Sequence, residues 1–412
     1  MRTPSLTAAA VVLAIAAGIA YAGDSPQFRG PNRDGNFDEK GLLKAWPENG
    51  PPVAWVARGL GRGFSSASVA QGKVYVTGMQ DDQVGNVFVL NADGTIEKRI
   101  ACGPETVEKQ APGTRSTPTI DGDRLYVISG LGTLYCIDLT KGEKQWEVNV
   151  LERFGGENSI WHVAESVLVD GKRVICTPGG KDATLVALDK LTGETIWTTK
   201  GLEDKTSYCS PTIITHQGRR ILTTVTGRYV VGADADSGAL LWSFAHKAPY
   251  DIHGVTPLYK DGLLYYVGGD GAGGGALELS ADGASVTSKW TDENLDCLHH
   301  GVVLVDGYLY GTGYRGGGRL VCLEMATGKL MWSTEEVRIA AVVYADGMLY
   351  TYEGPKTGIV SLVKATPTGF ERTGRFEVSD GEDQHWAHPT IANGRLYIRH
   401  GDVLIAYDVA RK

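Results

Sequence analysis

One pattern recurs along this chain and fixes what it can fold into. It reads Asp-Gly-x-Leu-Tyr-Val, a short gap, Gly-x-Leu-x-Cys-Leu-Asp, then Thr-Gly-x-x-x-Trp. The fullest copy runs from Asp121 and Gly122 through Leu125, Tyr126 and Val127, then Leu134 to Asp138, and closes on Gly142 and Trp146. The large buried-type residue at Tyr126 recurs at Tyr75, Ile175, Leu222, Tyr266, Tyr310, Tyr350 and Tyr397. That makes eight copies at a period of about 40–50 residues, and a period in this range marks a repeat architecture.

Each copy holds four short runs rich in Val, Ile, Leu, Tyr and Thr, separated by Asp-Gly, Gly-Gly or Thr-Gly pairs. Such runs read as strands joined by hairpins. The 55 glycines fit so many tight turns. A four-stranded unit of this size cannot bury both faces alone, so neighbours must stack, and radial stacking closes a ring. The expected fold is therefore all-β: an eight-bladed β-propeller of four-stranded antiparallel blades. The closing tryptophans Trp146, Trp197, Trp242, Trp290 and Trp332 are expected on outer strands, packed between blades. The last copy reaches Leu404–Asp408 and stops before any Gly-x-x-x-Trp run, whereas Pro52–Val56 near the start has no copy of its own. Pairing that N-terminal strand with the C-terminal blade would close the ring and remove an open sheet edge. The expected division is a signal peptide over 1–22, an opening segment over 23–51 and one propeller domain over 52–412.

The N-terminus carries Arg2, an apolar stretch from Leu6 to Ala20 and the small-x-small site Ala20-Tyr21-Ala22, which together read as a cleaved export signal. No cysteine near Ala22 would take a lipid. A periplasmic or secreted location follows as the expectation. The net charge of −8 argues against nucleic acid as a partner. Six cysteines (Cys102, Cys136, Cys176, Cys209, Cys297, Cys322) include no CxxC pair, so zinc and haem-attachment patterns are absent. Export permits disulfides among them, and spacing does not choose the pairing. Cys136 and Cys322 hold equivalent repeat positions and read as free, core-filling thiols.

The Tyr-Val … Leu-x-Cys-Leu-Asp … Thr-Gly-x-x-x-Trp pattern resembles the repeat of PQQ-type quinoprotein propellers, and is similar to that of the outer-membrane assembly factor BamB. The opening run Gln27-Phe28-Arg29-Gly30-Pro31-Asn32-Arg33-Asp34-Gly35 resembles the start of other PQQ-like propellers. The resemblance specifies fold far better than function, because this scaffold hosts dehydrogenases and non-catalytic assembly factors alike. A BamB-like role implies a monomeric, non-enzymatic interaction scaffold whose partners are envelope or outer-membrane proteins, with no cofactor. The alternative is a PQQ-dependent oxidoreductase with Ca²⁺ beside the quinone. Larger quinoproteins carry an adjacent cysteine pair, which this sequence lacks, and Asp251 and Asp296 are only loosely placed as candidates for a base. A carbohydrate- or peptide-binding propeller is a third reading, with Trp161 and Trp386 as contacts.

Candidate site residues follow from the repeat's phase. His162, His253, His299, His300, His385 and His388 all fall just before the first strand of a copy, where other copies hold Arg115, Tyr208 and Arg338. First strands of a propeller are innermost, so these residues, with Trp161 and Trp386 beside them, are expected to converge on one mouth of the central channel. His253, His299 and His385 are the candidate metal ligands. His216, His246 and His400 lie in turn or outer-strand contexts and carry no signal. The glycine run from Gly268 to Gly275 has no helix after it and reads as a hairpin rather than a phosphate cradle.

Overall fold

The computed structural model describes residues 23–181 and 183–411. The expected signal segment over 1–22 lies outside them. Eight sheets are arranged as blades, in sequence order around the ring, and the only α-helix among the described residues is the five-residue Val150–Phe154. Blade 1, for example, is built from Ser68–Ala70, Lys73–Met79, Val84–Asn91 and Ile96–Pro104, each antiparallel to the next. The eighth blade takes its outer strand from the N-terminus. Val53–Ala57 pairs antiparallel with Val403–Asp408, with Trp55 opposite Ala406. The ring is closed where the sequence leaves a strand missing at one end and spare at the other.

The repeat's residues occupy repeat places. The Tyr126 position is buried in all eight copies, between the second strand of one blade and its neighbour. The closing tryptophans lie on outer strands, and each register shifts at or beside them. Three of them set their indoles on the turn glycine of the next blade, Trp146 on Gly193, Trp197 on Gly238 and Trp290 on Gly328, as does Trp55 of the N-terminal strand on Gly94, whereas Trp242 lies over Gly232 of its own blade. The glycine and the tryptophan of one motif therefore serve two different interfaces. In the seventh blade Phe376 stands on the outer strand Arg372–Glu377 and packs 5.3 Å from Trp46 and 4.7 Å from Tyr407.

A Cβ on Gly238 would lie 2.3 Å from the Trp197 ring at φ +73°. Gly122 has a comparable φ of +61° with nothing within 4 Å. Gly122→Ala is expected to cost only the left-handed backbone strain, about 1–2 kcal/mol. Gly238→Ala must also displace the indole, for a further 1–3 kcal/mol. Thermal denaturation of the two variants side by side measures the difference.

All six cysteines are buried and free. Cys136 and Cys322 are core residues in the positions expected of them. Near the axis, hydroxyls link blade 1 to 2, 2 to 3, 4 to 5 and 8 to 1. Ser68 Oγ donates to Pro118 O, Thr119 Oγ1 to Val167 O, Thr256 Oγ1 to Ser210 O and Thr390 Oγ1 to Ala67 O. These bonds put the inner strands at the channel wall, and they set the frame for the site.

One element has no counterpart in the repeat pattern. Asn36–Phe37 adds to the seventh blade as a fifth, innermost strand, parallel to Ala340–Ala345. Two residues of a Gly- and Asn-rich stretch carry no periodicity, so the opening segment reads as irregular until its partner is seen.

Candidate functional site

Each inner strand begins at one end of the channel and turns into its Asp-Gly hairpin at the other. The histidine-bearing connections lie at the beginning, which we term the mouth. The opening segment lies at the hairpin end. Ser25 bridges Val69 in blade 1, and Asn36 and Phe37 pair with Tyr344 and Ala345 at the end of the blade 7 inner strand. Between them, Arg29 and Arg33 reach into the channel toward the mouth. Arg33 donates from Nε to Pro211 O (2.8 Å), from Nη1 to Val167 O (3.1 Å) and Gln27 Oε1 (3.0 Å), and from Nη2 to Ser166 O. Arg29 donates to Val302 O (2.6 Å), Val342 O (3.3 Å) and Asp34 O (3.1 Å), and to His388 Nδ1 at 2.9 Å. Burial pulls both guanidinium groups down to about 10, which leaves them charged at neutral pH. Two arginines from one segment thus hold carbonyls of blades 3, 4, 6 and 7 together inside the ring. Sequence reasoning passed over them, because nothing in an Arg-Gly-Pro-Asn-Arg run says that its side chains enter a channel.

The mouth residues do not form one pocket. They fall into four groups. In the first, Arg29 donates to His388, so His388 carries its proton on Nε2, which donates to His299 O at 2.7 Å. His299 lies 4.2 Å from His300 and 5.4 Å from Trp386 between ring centroids, and Trp386 in turn packs 5.2 Å from Phe64. In the second, His253 packs 5.1 Å from His246. In the third, His385 stacks on His400 at 3.8 Å and bonds the Tyr352 hydroxyl through Nδ1 at 2.5 Å. The fourth gathers Arg115, His162, Trp161 and Tyr208 around blades 2 to 4. Trp161 donates from its backbone to the Tyr208 hydroxyl and from Nε1 to Gln110 Oε1, and packs 6.0 Å from Tyr250. Arg338 joins none of them, because its guanidinium turns back onto Glu335.

Two expectations are corrected here. His253, His299 and His385 sit in three separate groups, and no cluster of three or more His, Cys, Asp or Glu side chains with metal-holding geometry occurs among the described residues. The trio cannot share one ion. His246 and His400, set aside in the sequence, are the ring partners of His253 and His385. Each ends a strand at the mouth, and the connection that follows or precedes it folds back onto it. His216, by contrast, bonds Tyr259 and Ser280 and takes no part in the mouth.

Burial governs the charge of these groups. It depresses His253 to about 3, and His246, His299 and His385 to about 4, so all are neutral imidazoles at pH 7. His300 and His388 are also held well below the ordinary value, first by burial and then by neighbouring imidazoles for His300 and by Arg29 for His388. Two carboxylates that the sequence did not single out go the other way. Glu165 accepts from Thr177 N, Glu105 accepts from Thr106 N and Gly130 N, and burial pushes both up to about 7.

The residues present do not fit a quinone with calcium beside it. Asp296 has both carboxylate oxygens on backbone donors, Gly271 N at 2.9 Å and Arg315 N at 3.0 Å. Asp251 sits in a surface turn beside Tyr250, and Trp386 packs against Phe64 and His299 rather than offering an open face.

The mouth does present an exposed apolar surface. Val107, Leu131, Ile160, Tyr250 and Tyr314 are all exposed and all lie on mouth connections, with Ile160 and Tyr250 above 60%. Three residues here hold left-handed backbone: His162 at φ 67°, Tyr250 at 58° and Asp251 at 56°. That conformation is costly for a bulky side chain, and strain of this kind gathers at functional surfaces.

Comparison with known proteins places the chain. The family described as outer membrane protein assembly factor BamB matches residues 44–150, 103–249, 181–296 and 278–411. The BamB of Kangiella koreensis is 28% identical over 200 residues, and that of Moranella endobia 26% identical over 232. These stretches cover 48% and 56% of this chain and 46% and 47% of the relatives, so the chain spans about half the length of each. The quinoprotein alcohol dehydrogenase PedH of Pseudomonas putida is 25% identical over 193 residues, covering 45% of this chain and 31% of that protein. Among solved structures, BamB from Moraxella catarrhalis superposes with a TM-score of 0.63 at 16% identity, over 87% of this chain and 99% of that one. The quinohemoprotein alcohol dehydrogenase of Comamonas testosteroni gives 0.64 at 13%, over 96% and 82%. Structural likeness at such identity speaks for the fold shared by both. The family match runs through every blade, and the chain belongs to the BamB family of PQQ-like propellers.

Proposed function

We infer that the protein is a non-catalytic envelope scaffold whose mouth face docks a protein engaged in outer-membrane assembly. The reading is carried by the exposed apolar residues at the mouth, of which Tyr250 and Ile160 are the most exposed. Aromatic anchors ringed by polar groups are the usual core of a protein interface. Trp161 packs edge-on against Tyr250, and Tyr208 packs against Trp161 in turn. Membership of the BamB family supports partners in the outer membrane or its assembly machinery, and the export signal read in the sequence supports a periplasmic or secreted location. The test is a cross-linking pull-down from envelope extracts with wild type and an Ile160→Asp, Tyr250→Asp double variant. Both sites are exposed, so folding should survive. At least a tenfold loss of recovered outer-membrane protein is expected, and equal recovery by both would refute the reading.

The rival is a PQQ-dependent oxidoreductase, favoured by the match to PedH. An absorbance titration with PQQ and Ca²⁺ tests it: a stoichiometric bound-quinone spectrum would support that rival, and a titration identical to free PQQ is expected.

A further inference from the structure

The hairpin end of the channel is lined by strand edges, and the opening segment covers only some of them. Ser25 exchanges two 2.8 Å backbone bonds with Val69 of blade 1. Pro26 O accepts from Ile120 N of blade 2 at 2.8 Å. Asn36–Phe37 pairs with blade 7. Beside this path, toward blades 4 to 6, a cavity of about 340 Å³ remains. Its wall is made of consecutive residues, 212–214 in blade 4 and 257–260 in blade 5. Successive strand residues point to opposite faces, so only the backbone edge can bring an unbroken run of them to one cavity. Among the described residues no strand from outside blades 4 and 5 pairs with those edges.

The remaining wall comes from Asn32, Arg33, Asp34 and Asn36 of the opening segment and from Leu304, Asp306 and Gly307 of blade 6, and Asn36 Oδ1 is buried there without a hydrogen-bond partner among the described residues. Arg33 and Lys260 on one side and Asp34 and Asp306 on the other balance the charge of the lining. The site thus offers backbone donors and acceptors and favours neither sign of charge. An unpaired edge is a ready template for a further strand, and the chain itself uses it so in blade 7.

We propose that this cavity binds a short extended polypeptide segment of a partner, with uncharged side chains, which adds as an inner strand to blade 4 or blade 5 as Asn36–Phe37 adds to blade 7. The site lies at the end of the channel away from the mouth, and the proposal does not rest on the docking face described there.

The test uses the whole protein and a blocked peptide, acetyl-(Thr-Val)₃-amide, beside an analogue methylated on alternate backbone nitrogens. Methylation removes edge hydrogen bonds and leaves every side chain in place. Titration calorimetry should show the parent peptide binding and the methylated one at least tenfold weaker. Hydrogen exchange at residues 212–214 and 257–260 should slow only with the parent. Asn32→Trp, at an exposed position, fills the cavity and should abolish binding, while Leu330→Trp on an outer strand should leave it unchanged. Equal affinity for the two peptides, binding undiminished by Asn32→Trp, or no binding at millimolar peptide would each overturn the proposal. So would peptide-free dimerisation abolished by Asn32→Trp, which would make a second copy the occupant. None of these results touches the pull-down at the mouth, so the two readings fail separately.

Discussion

Acidification from pH 7 to pH 4 is expected to unfold this ring with the uptake of several protons. At least six imidazoles (His246, His253, His299, His300, His385 and His388) are held below the ordinary value of 6.5 by burial. The unfolded chain takes up protons near pH 6.5 that the folded ring refuses until about pH 4. The stability they contribute is therefore fully present above pH 6.5 and is lost as the pH falls toward 4. His253 alone, fully buried and held to about 3, accounts for on the order of 3 kcal/mol by pH 4. Glu105 and Glu165 oppose this. Their folded values near 7 mean that the folded state binds protons the unfolded chain releases above about 4.5, so they favour lower pH across the same window. Asp34 and Glu353, also raised by burial, act in the same sense, and the six imidazoles outnumber these four carboxylates, which leaves a net fall in stability with acid. Urea midpoints measured at half-unit steps from pH 7.5 to 4 should drop with a slope of several protons. His253→Leu removes one of these protons, and neither ring nitrogen has a partner among the described residues to leave unpaired. It should flatten the slope by about one proton. A flat profile would mean that these imidazoles are solvated.

Arg33→Ala is expected to be the most damaging single change in the opening segment. It leaves the carbonyls of Ser166 and Pro211 without a donor inside the ring, and strips Val167 O of one of its two, the other being Thr119 Oγ1. An unpaired buried acceptor costs about 1–3 kcal/mol, and with some entry of water the two orphaned carbonyls should cost roughly 2–5 kcal/mol. Arg33→Lys should recover only part of this, since an ammonium lacks the planar fork that reaches three carbonyls at once. The control is the exposed pair Arg58 and Asp380, whose disruption should cost less than about 1 kcal/mol. Chemical denaturation measures all three variants. A loss below 1 kcal/mol at Arg33 would show that water serves those carbonyls as well as the guanidinium does.

The ring was legible because its determinants are local and repeated. Each Asp-Gly turn, each buried Tyr126-type residue and each Trp seated on a neighbour's glycine recurs with the period, so eight weak signals reinforce one another. Closure was legible for the same reason: a missing strand at Asp408 and a spare one at Val53 stand out against the pattern. The site was legible only in outline. Repeat phase tells which residues stand at the mouth and says nothing about which rings meet, because that depends on how each connection folds back. Hence His253 was paired in expectation with His299 and His385, whereas it meets His246. The arginines of the opening segment were illegible for a different reason. They act through carbonyls of four blades, and a carbonyl leaves no mark in sequence.

Site-specific photo-cross-linking tests most directly whether the mouth face is the working surface. A photoreactive residue placed at Tyr250 is compared with one placed at Leu191, an exposed position on a hairpin at the other end. In envelope preparations, adducts to outer-membrane or assembly proteins are predicted from position 250 and not from position 191. Equal adducts from both positions, or adducts from 191 alone, would contradict it.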